Sequence, residues 1–396
     1  MSSIPPPPSR SRTLAHLSVI GFVTALSARA VDPIIPPIAL ALMESPEKVA
    51  LLSTAFALPF ALVQPILGPV ADMMGKVRLM IICLVVMILA SFACALATSF
   101  PLLLTARVIV GMATGGIFPV GLAIIGDQVP VRERQVAIGR WLAIVIGGNL
   151  LGAALAGVVS DIAGWRAVFF VVGGFGAAAF VNAMINLRHA ARAHTPNYDV
   201  RAALAGYKAI FANPRAKFCF LAVFFEGIAI FGLFPFVALL LLAAGEARAS
   251  IAGIVIAGFS IGGVAYSLGV SLLIRRFRSR HLMIAGGVIA ALAFVGIALD
   301  PPWPLQFTAF AVLGLGFYML HGCIQVEVTE LTDTARGAAT SLHSLFFFVG
   351  NASGPIIYGF GFAHIGGTRS VLIGGLAVLA VSLMCAHFLR RPANVV

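Results

Sequence analysis

The sequence predicts an all-α membrane protein, with twelve transmembrane helices in two pseudo-symmetric six-helix bundles. Three observations carry that prediction. The 396 residues are 60% hydrophobic and 10% charged, with a mean hydropathy of +1.05, whereas soluble proteins average about 25% charged. The apolar residues gather into twelve runs long enough to cross a bilayer. The second six runs repeat landmarks of the first six at a constant offset.

A spanning helix needs about 20 predominantly apolar residues. Cutting the chain at charges and at Gly/Pro punctuation places the runs at 14–42, 49–72, 79–98, 101–127, 135–160, 165–187, 215–243, 250–274, 281–299, 304–330, 337–363 and 367–389. The first run has a rival reading. Arg10 and Arg12, the apolar stretch Leu14 to Leu26, and Ala28-Arg29-Ala30 have the layout of a cleavable signal peptide. Apolar character resumes at once through Val31 to Leu42, and removing the segment would leave an odd number of spans. It reads as the first membrane helix.

The cationic residues orient the chain. With a cytoplasmic N-terminus, twenty Lys and Arg fall in inside segments and four outside, namely Lys48, Arg166, Arg248 and Arg369. Positive charge favours the cytoplasmic side, so both termini are expected there, in a multi-pass protein of a bacterial cytoplasmic (inner) membrane. The same asymmetry explains the net charge of +12 without a nucleic-acid partner. Expected domains are a tail at 1–13, a six-helix bundle at 14–187, a polar cytoplasmic linker at 188–214, a second bundle at 215–390, and a tail at 391–396. The five cysteines, Cys83, Cys94, Cys219, Cys323 and Cys385, each lie in an apolar run without CxxC spacing. They read as packed small hydrophobes, with no metal or cofactor expected.

The repeat is read at an offset of 202 residues. It aligns Arg134 with Arg336, Gly148 with Gly350, Asn149 with Asn351, Gly152 with Gly354, Gly157 with Gly359 and Gly164 with Gly366. Two six-helix halves related along the membrane normal are one of the known ways to build a transporter.

Between the second and third runs lies Gly68-Pro69-Val70-Ala71-Asp72-Met73-Met74-Gly75-Lys76-Val77-Arg78. This stretch resembles the signature loop of the major facilitator superfamily, with Met73 where a basic residue is usual. The resemblance implies the major facilitator fold. It also implies a conformational latch of Gly68, Asp72, Gly75, Lys76, Arg78 and Asp127 that holds the halves together in the outward-open state. Arg107 to Gly111, followed by Gly115-Gly116, is similar to the drug:proton antiporter branch, where such an arginine is implicated in proton coupling. Gly148, Gly152 and Gly157 have antiporter-like spacing, but Ala153 replaces the expected proline and the Gly-Pro pair appears instead at Gly354-Pro355. Close helix packing explains these glycines as well as antiport does.

Ionisable groups inside spans cost about 2.5–3.5 kcal/mol each on insertion scales and usually face a cavity or one another. Arg29 and Asp32 share a helix face at i,i+3, and Arg107 in the fourth run lies at similar depth, which would set Asp32 between two guanidiniums. Pro33, Pro36 and Pro37 would break the helix beside Asp32. Glu226 is near mid-membrane with no basic neighbour in sequence, an isolation that suits a carboxyl exchanging protons. Glu327, Glu330 and Arg336 suggest a second latch, while His321 and His343 read as structural. Thirty phenylalanines do not by themselves define an aromatic pocket, since many must face lipid.

Asp32, Arg29, Arg107 and Glu226 are thus the expected substrate and proton-coupling residues. With no nucleotide-binding loop and no hydrolytic constellation, an enzyme is not expected and energy would come from a gradient. The leading expectation is a monomeric secondary transporter, exchanging protons for a small organic molecule across the lipid bilayer by alternating access. Its rivals are an uptake symporter or facilitator for an organic anion, clamped by Arg29 and Arg107, and a non-transporting receptor or scaffold.

Overall fold

The computed structural model describes residues 10–187, 200–332 and 335–389. Lipid offers no hydrogen-bond partners, so a spanning chain must satisfy its backbone internally. Accordingly, every regular element among the described residues is helical. Among the described residues, twelve spans are long and apolar enough to cross a membrane: Thr13–Leu42, Pro46–Leu67, Lys76–Ala95, Phe100–Gln128, Ala137–Ala163, Trp165–Asn186, Ala216–Ala243, Ala249–Arg276, Ser279–Ala298, Trp303–Thr329, Arg336–Ile365 and Gly367–Phe388, here spans one to twelve. Each coincides with an expected run to within a few residues. Most of both expected tails and the 188–199 part of the linker lie outside the described residues. The rest of that polar stretch holds a helix, Val200–Ala212, which buries Ile210 and exposes Lys208 and Phe211. Asn213 Nδ2 donates to the Leu331 carbonyl at 3.1 Å, tying this helix to the end of span ten.

The 202-residue repeat appears in the backbone and in the packing. Gly164 joins spans five and six, and Gly366 joins spans eleven and twelve, each as a one-residue turn with φ of +82° and +87°. Only glycine adopts that conformation without a Cβ penalty. A Cβ added at Gly148 would overlap the Phe22 carbonyl, and one at Gly350 would overlap the Phe224 carbonyl. The next turn repeats the arrangement: a Cβ on Gly152 would lie 2.5 Å from the Leu26 carbonyl, and one on Gly354 would lie 2.9 Å from that of Ile228. Span one therefore packs on span five as span seven packs on span eleven, backbone to backbone.

Spans one and seven are both broken at equivalent places. In span one, helix Arg10–Arg29 stops, a 3-10 turn covers Asp32–Ile34, and helix Ile35–Leu42 resumes. Proline at 33 has no N–H to donate, and its ring displaces the carbonyl four residues back. Span seven runs as helix Ala216–Glu226, a π turn Gly227–Phe231, a 3-10 turn Phe234–Phe236 with Pro235 inside, and helix Val237–Ala243. The two 3-10 turns are 202 residues apart.

The end of the bundle that carries Arg10 and Leu389 is the near end, and the opposite one the far end. Contacts between the first six spans and the last six gather at the far end. There Gly157 meets the Ala249 carbonyl and Gly253 meets the Ala153 carbonyl with no room for a Cβ. Asp161 accepts from the N–H groups of Ala249 and Ser250, both at 2.9 Å, so a carboxylate from span five caps the start of span eight. Thr54 Oγ1 donates to the Ala352 carbonyl at 2.6 Å, joining span two to span eleven. Toward the near end the same two spans separate around a cavity, which Trp141 and Val145 of span five and Tyr266 and Ser267 of span eight line. The seam is zipped at one end and parted at the other.

Candidate functional site

The parted seam encloses a cavity of about 430 Å³, lined by spans one, two, four, five, seven, eight, ten and eleven. Spans three and six pack on each other, as do nine and twelve, and none of the four reaches the lining. At the far end the floor is Asp32, Ser53, Phe234 and Ile256, and the walls run toward the near end past Trp141, Tyr266 and Gln325.

The floor is built on the break in span one. Asp32 is only 1% exposed. Its Oδ2 lies 3.4 Å from Arg29 Nη1, and its Oδ1 accepts from Ser53 Oγ at 2.7 Å. The Arg29 guanidinium lies over the rings of Phe231 and Phe234 in span seven, 4.7 and 4.8 Å from their centroids. Those two rings occupy the positions of Arg29 and Asp32 in the repeat. The polar break of one half therefore rests on the aromatic break of the other.

Arg107 does not join this pair directly. It is 1% exposed, it is absent from the cavity lining, and no ion pair links it to Asp32. Its guanidinium sits over the Phe56 ring at 4.7 Å, with Nε and Nη2 buried and without a hydrogen-bond partner among the described residues. Ser53 and Phe56 are one turn apart on span two, so a single helix touches Asp32 with one side chain and Arg107 with the next.

Glu226 departs from its expected isolation. It is 0% exposed, and its Oε2 shares a 2.8 Å hydrogen bond with His321 Nδ1 from span ten. Ninety-five residues separate the two, so nothing local in the sequence could reveal the pairing. His321 lines the cavity whereas Glu226 does not. Glu226 stands eight residues before Phe234, about 12 Å closer to the near end than the floor at 1.5 Å per helical residue.

The wall on this side is aromatic. Phe231 makes edge contacts with Phe259, Phe317 and Phe347, with ring centroids 5.4, 5.3 and 5.1 Å away. The opposite wall carries Trp141, held by its Nε1 donating to the Leu17 carbonyl at 3.3 Å, with Phe118 beside it at 5.0 Å. Asn149, Gln325 and Asn351 add neutral polar points. The site can hold a small amphipathic molecule against flat apolar walls.

The expected latch residues lie at the near end. Gly75 turns the chain with φ of +93°, and Lys76 Nζ meets Asp127 Oδ2 at 2.6 Å. That pair links spans three and four, both among the first six spans, so it does not itself bridge the seam. Arg78 is exposed, and Gly68 and Asp72 fall on helix Leu51–Met74, with the Asp72 side chain outside what the structure describes. Glu327 is 2% exposed and accepts from Arg215 Nη1 at 3.0 Å, bringing the start of span seven to span ten; this cation was not among the partners expected for it. Glu330 and Arg336 are at the same end. Asp161 and Ser53 are contributors that sequence reasoning missed, and His321, which read as structural, lines the cavity and bonds Glu226. Asp161 carried one legible sign, an acidic residue just before a glycine turn on the sparsely charged face.

The profile described as "Major Facilitator Superfamily" matches residues 17–332 and 219–395. Multidrug resistance protein 1 of Bacillus subtilis is 25% identical over 352 residues, 88% of this chain and 89% of its own length. Quinolone resistance protein NorA of Staphylococcus aureus is 26% identical over 346 residues, 85% and 87% respectively. Among solved structures, a D-xylose-proton symporter superposes with a TM-score of 0.79 at 13% identity over 96% of this chain and 97% of its own. A bacterial homologue of the lysosomal transporter Spinster, solved inward-facing and unoccupied, gives 0.74 at 20% identity over 96% and 97%.

Proposed function

The chain belongs to the Major Facilitator Superfamily, and from that premise we propose that it exports small amphipathic organic molecules in exchange for protons. It is a multi-pass inner-membrane transporter rather than an enzyme. In the proposed orientation both termini are cytoplasmic, as the twenty-to-four division of cations favours. The cavity then faces the cytoplasm, where a substrate for export would enter. The halves 14–187 and 215–390 rock about the cavity, with 188–214 connecting them. The near-end cluster around Lys76 and Asp127 would secure the alternate, outward-open state, in which the seam closes at that end.

One observation carries the proton coupling. Asp32 holds Arg29 at the cavity floor, and Arg29 bridges to Phe231 and Phe234 in the opposite half. Opening the far end must pull the guanidinium off those rings. A proton arriving on Asp32 cancels the charge that orients Arg29, so protonation and opening act on one contact. Glu226 supplies a second buried carboxyl on the other half. The aromatic wall suits flat apolar solutes, in keeping with relatives named for multidrug and quinolone resistance.

The rival reading, uptake of an organic anion on Arg29 and Arg107, draws on the unpartnered donors of Arg107. It is weakened because Arg107 does not line the cavity. Proteoliposomes with an imposed pH gradient and a panel of cationic, neutral and anionic aromatic solutes separate the two. Export predicts solute movement opposite to the proton gradient, with cationic or neutral solutes preferred. Anion accumulation on the side to which protons flow would replace antiport with symport.

A further inference from the structure

We propose that His321 is the relay through which protons pass between the cavity and Glu226. The inference rests on Glu226 titrating during transport and adds the route. Glu226 is 0% exposed and is not part of the cavity lining. Among the described residues its Oε1 has no hydrogen-bond partner, and its single hydrogen bond is to His321 Nδ1 at 2.8 Å. His321 does line the cavity, with its side chain 16% exposed. Phe317 stacks on the imidazole at 4.7 Å and Phe347 packs against it at 5.2 Å, so apolar rings flank the contact and keep water from the carboxyl.

The other titratable groups that face the pair are His343 from span eleven, Cys323 on span ten and Cys385 from span twelve. His343 lies 4.9 Å from His321 ring to ring, with its Nε2 buried and unpartnered. Neither it nor the two thiols line the cavity. Among the described titratable groups, His321 is the one that both lines the cavity and hydrogen-bonds Glu226.

Imidazole suits the task because a neutral ring has one donor and one acceptor nitrogen. A hydronium ion in the cavity gives a proton to Nε2 while the proton on Nδ1 passes to Glu226 Oε2. The bonds formed are Nε2–H and Oε2–H, and the bonds broken are the hydronium O–H and Nδ1–H. Glu226 changes from carboxylate to carboxyl, and the imidazole is neutral before and after, with its tautomer exchanged. Running the same steps backward empties Glu226 into whichever side the cavity then faces.

A pH jump on the full-length protein in liposomes, followed by time-resolved infrared spectroscopy, tests this without any transported substrate. The Glu226 carboxyl band is identified by its loss in Glu226→Gln. His321→Ala should slow the appearance of that band about a hundredfold, the usual worth of a positioned proton-transfer group. Imidazole in solution should restore the rate, since the cavity has room for it. His321→Gln, which keeps a hydrogen bond but cannot relay, should be slowed and not rescued, and it covers the case in which the alanine variant fails to fold. Wild-type rates in either variant overturn the relay while leaving Glu226 as the titrating group. Slowing of His321→Ala that imidazole does not reverse marks a structural role and also overturns it. Absence of any band sensitive to Glu226→Gln removes the underlying reading of Glu226 as well.

Discussion

The breaks in spans one and seven use one backbone device for opposite chemistry. Asp32-Pro33-Ile34 and Phe234-Pro235-Phe236 are both 3-10 turns at equivalent positions in the repeat, and a glycine of the facing span lies against each helix. One break presents a carboxylate and a guanidinium, the other two phenyl rings, and the two meet across the seam. The backbone arrangement is therefore the shared part, and the side chains at the break are where the halves differ in task. The first half carries charge to the floor, and the second supplies the surface from which that charge must part.

Four measurements break or sharpen the comparison. Asp32→Asn should have the largest effect, abolishing accumulation driven by a pH gradient while substrate binding stays within a few-fold. Equal coupling in wild type and Asp32→Asn would mean that the polar break is not the coupling element. The scaffold comes next. Gly148→Ala and Gly350→Ala each place a Cβ against a facing carbonyl, which should cost about 1–3 kcal/mol, and to similar extents if the halves are truly equivalent. Thermal unfolding in detergent reads both, with Gly269→Ala, which meets nothing within 4 Å, as the neutral control.

Phe231→Leu removes one cation–π face from Arg29, an interaction worth about 0.5–2 kcal/mol. It should shift the population toward the outward-open state by the corresponding factor, read as faster labelling of a cysteine placed at the far end. Unchanged labelling would make Arg29 a passive neighbour of the ring. The smallest effect is expected from Asp161→Asn. It keeps one carbonyl acceptor for the start of span eight but loses the charge that favours a helix N-terminus, about 0.3–1 kcal/mol. The same labelling assay should show a rise about half that of Phe231→Leu on a logarithmic scale, and the rise should be damped by salt.

Much of the fold was legible in the residues themselves. Hydropathy alone located twelve spans, because lipid forces every backbone group into internal hydrogen bonds and so demands long apolar helices. The landmarks at a spacing of 202 announced the repeat, and the prolines after Asp32 announced the break, because glycine and proline act through local backbone geometry. Partnership was another matter. Ser53 on Asp32, Phe231 and Phe234 under Arg29, His321 on Glu226 and Asp161 on the start of span eight join positions far apart in the chain. In water an amphipathic stripe betrays which face of a helix packs. In lipid the surroundings are as apolar as the core, and that signal is lost. The sequence by itself thus determined how many helices cross the membrane, where they turn and that they come as two related sets. Which buried charge meets which partner was decided only when the helices closed on one another, by fit and by hydrogen bonding at a distance no local pattern encodes.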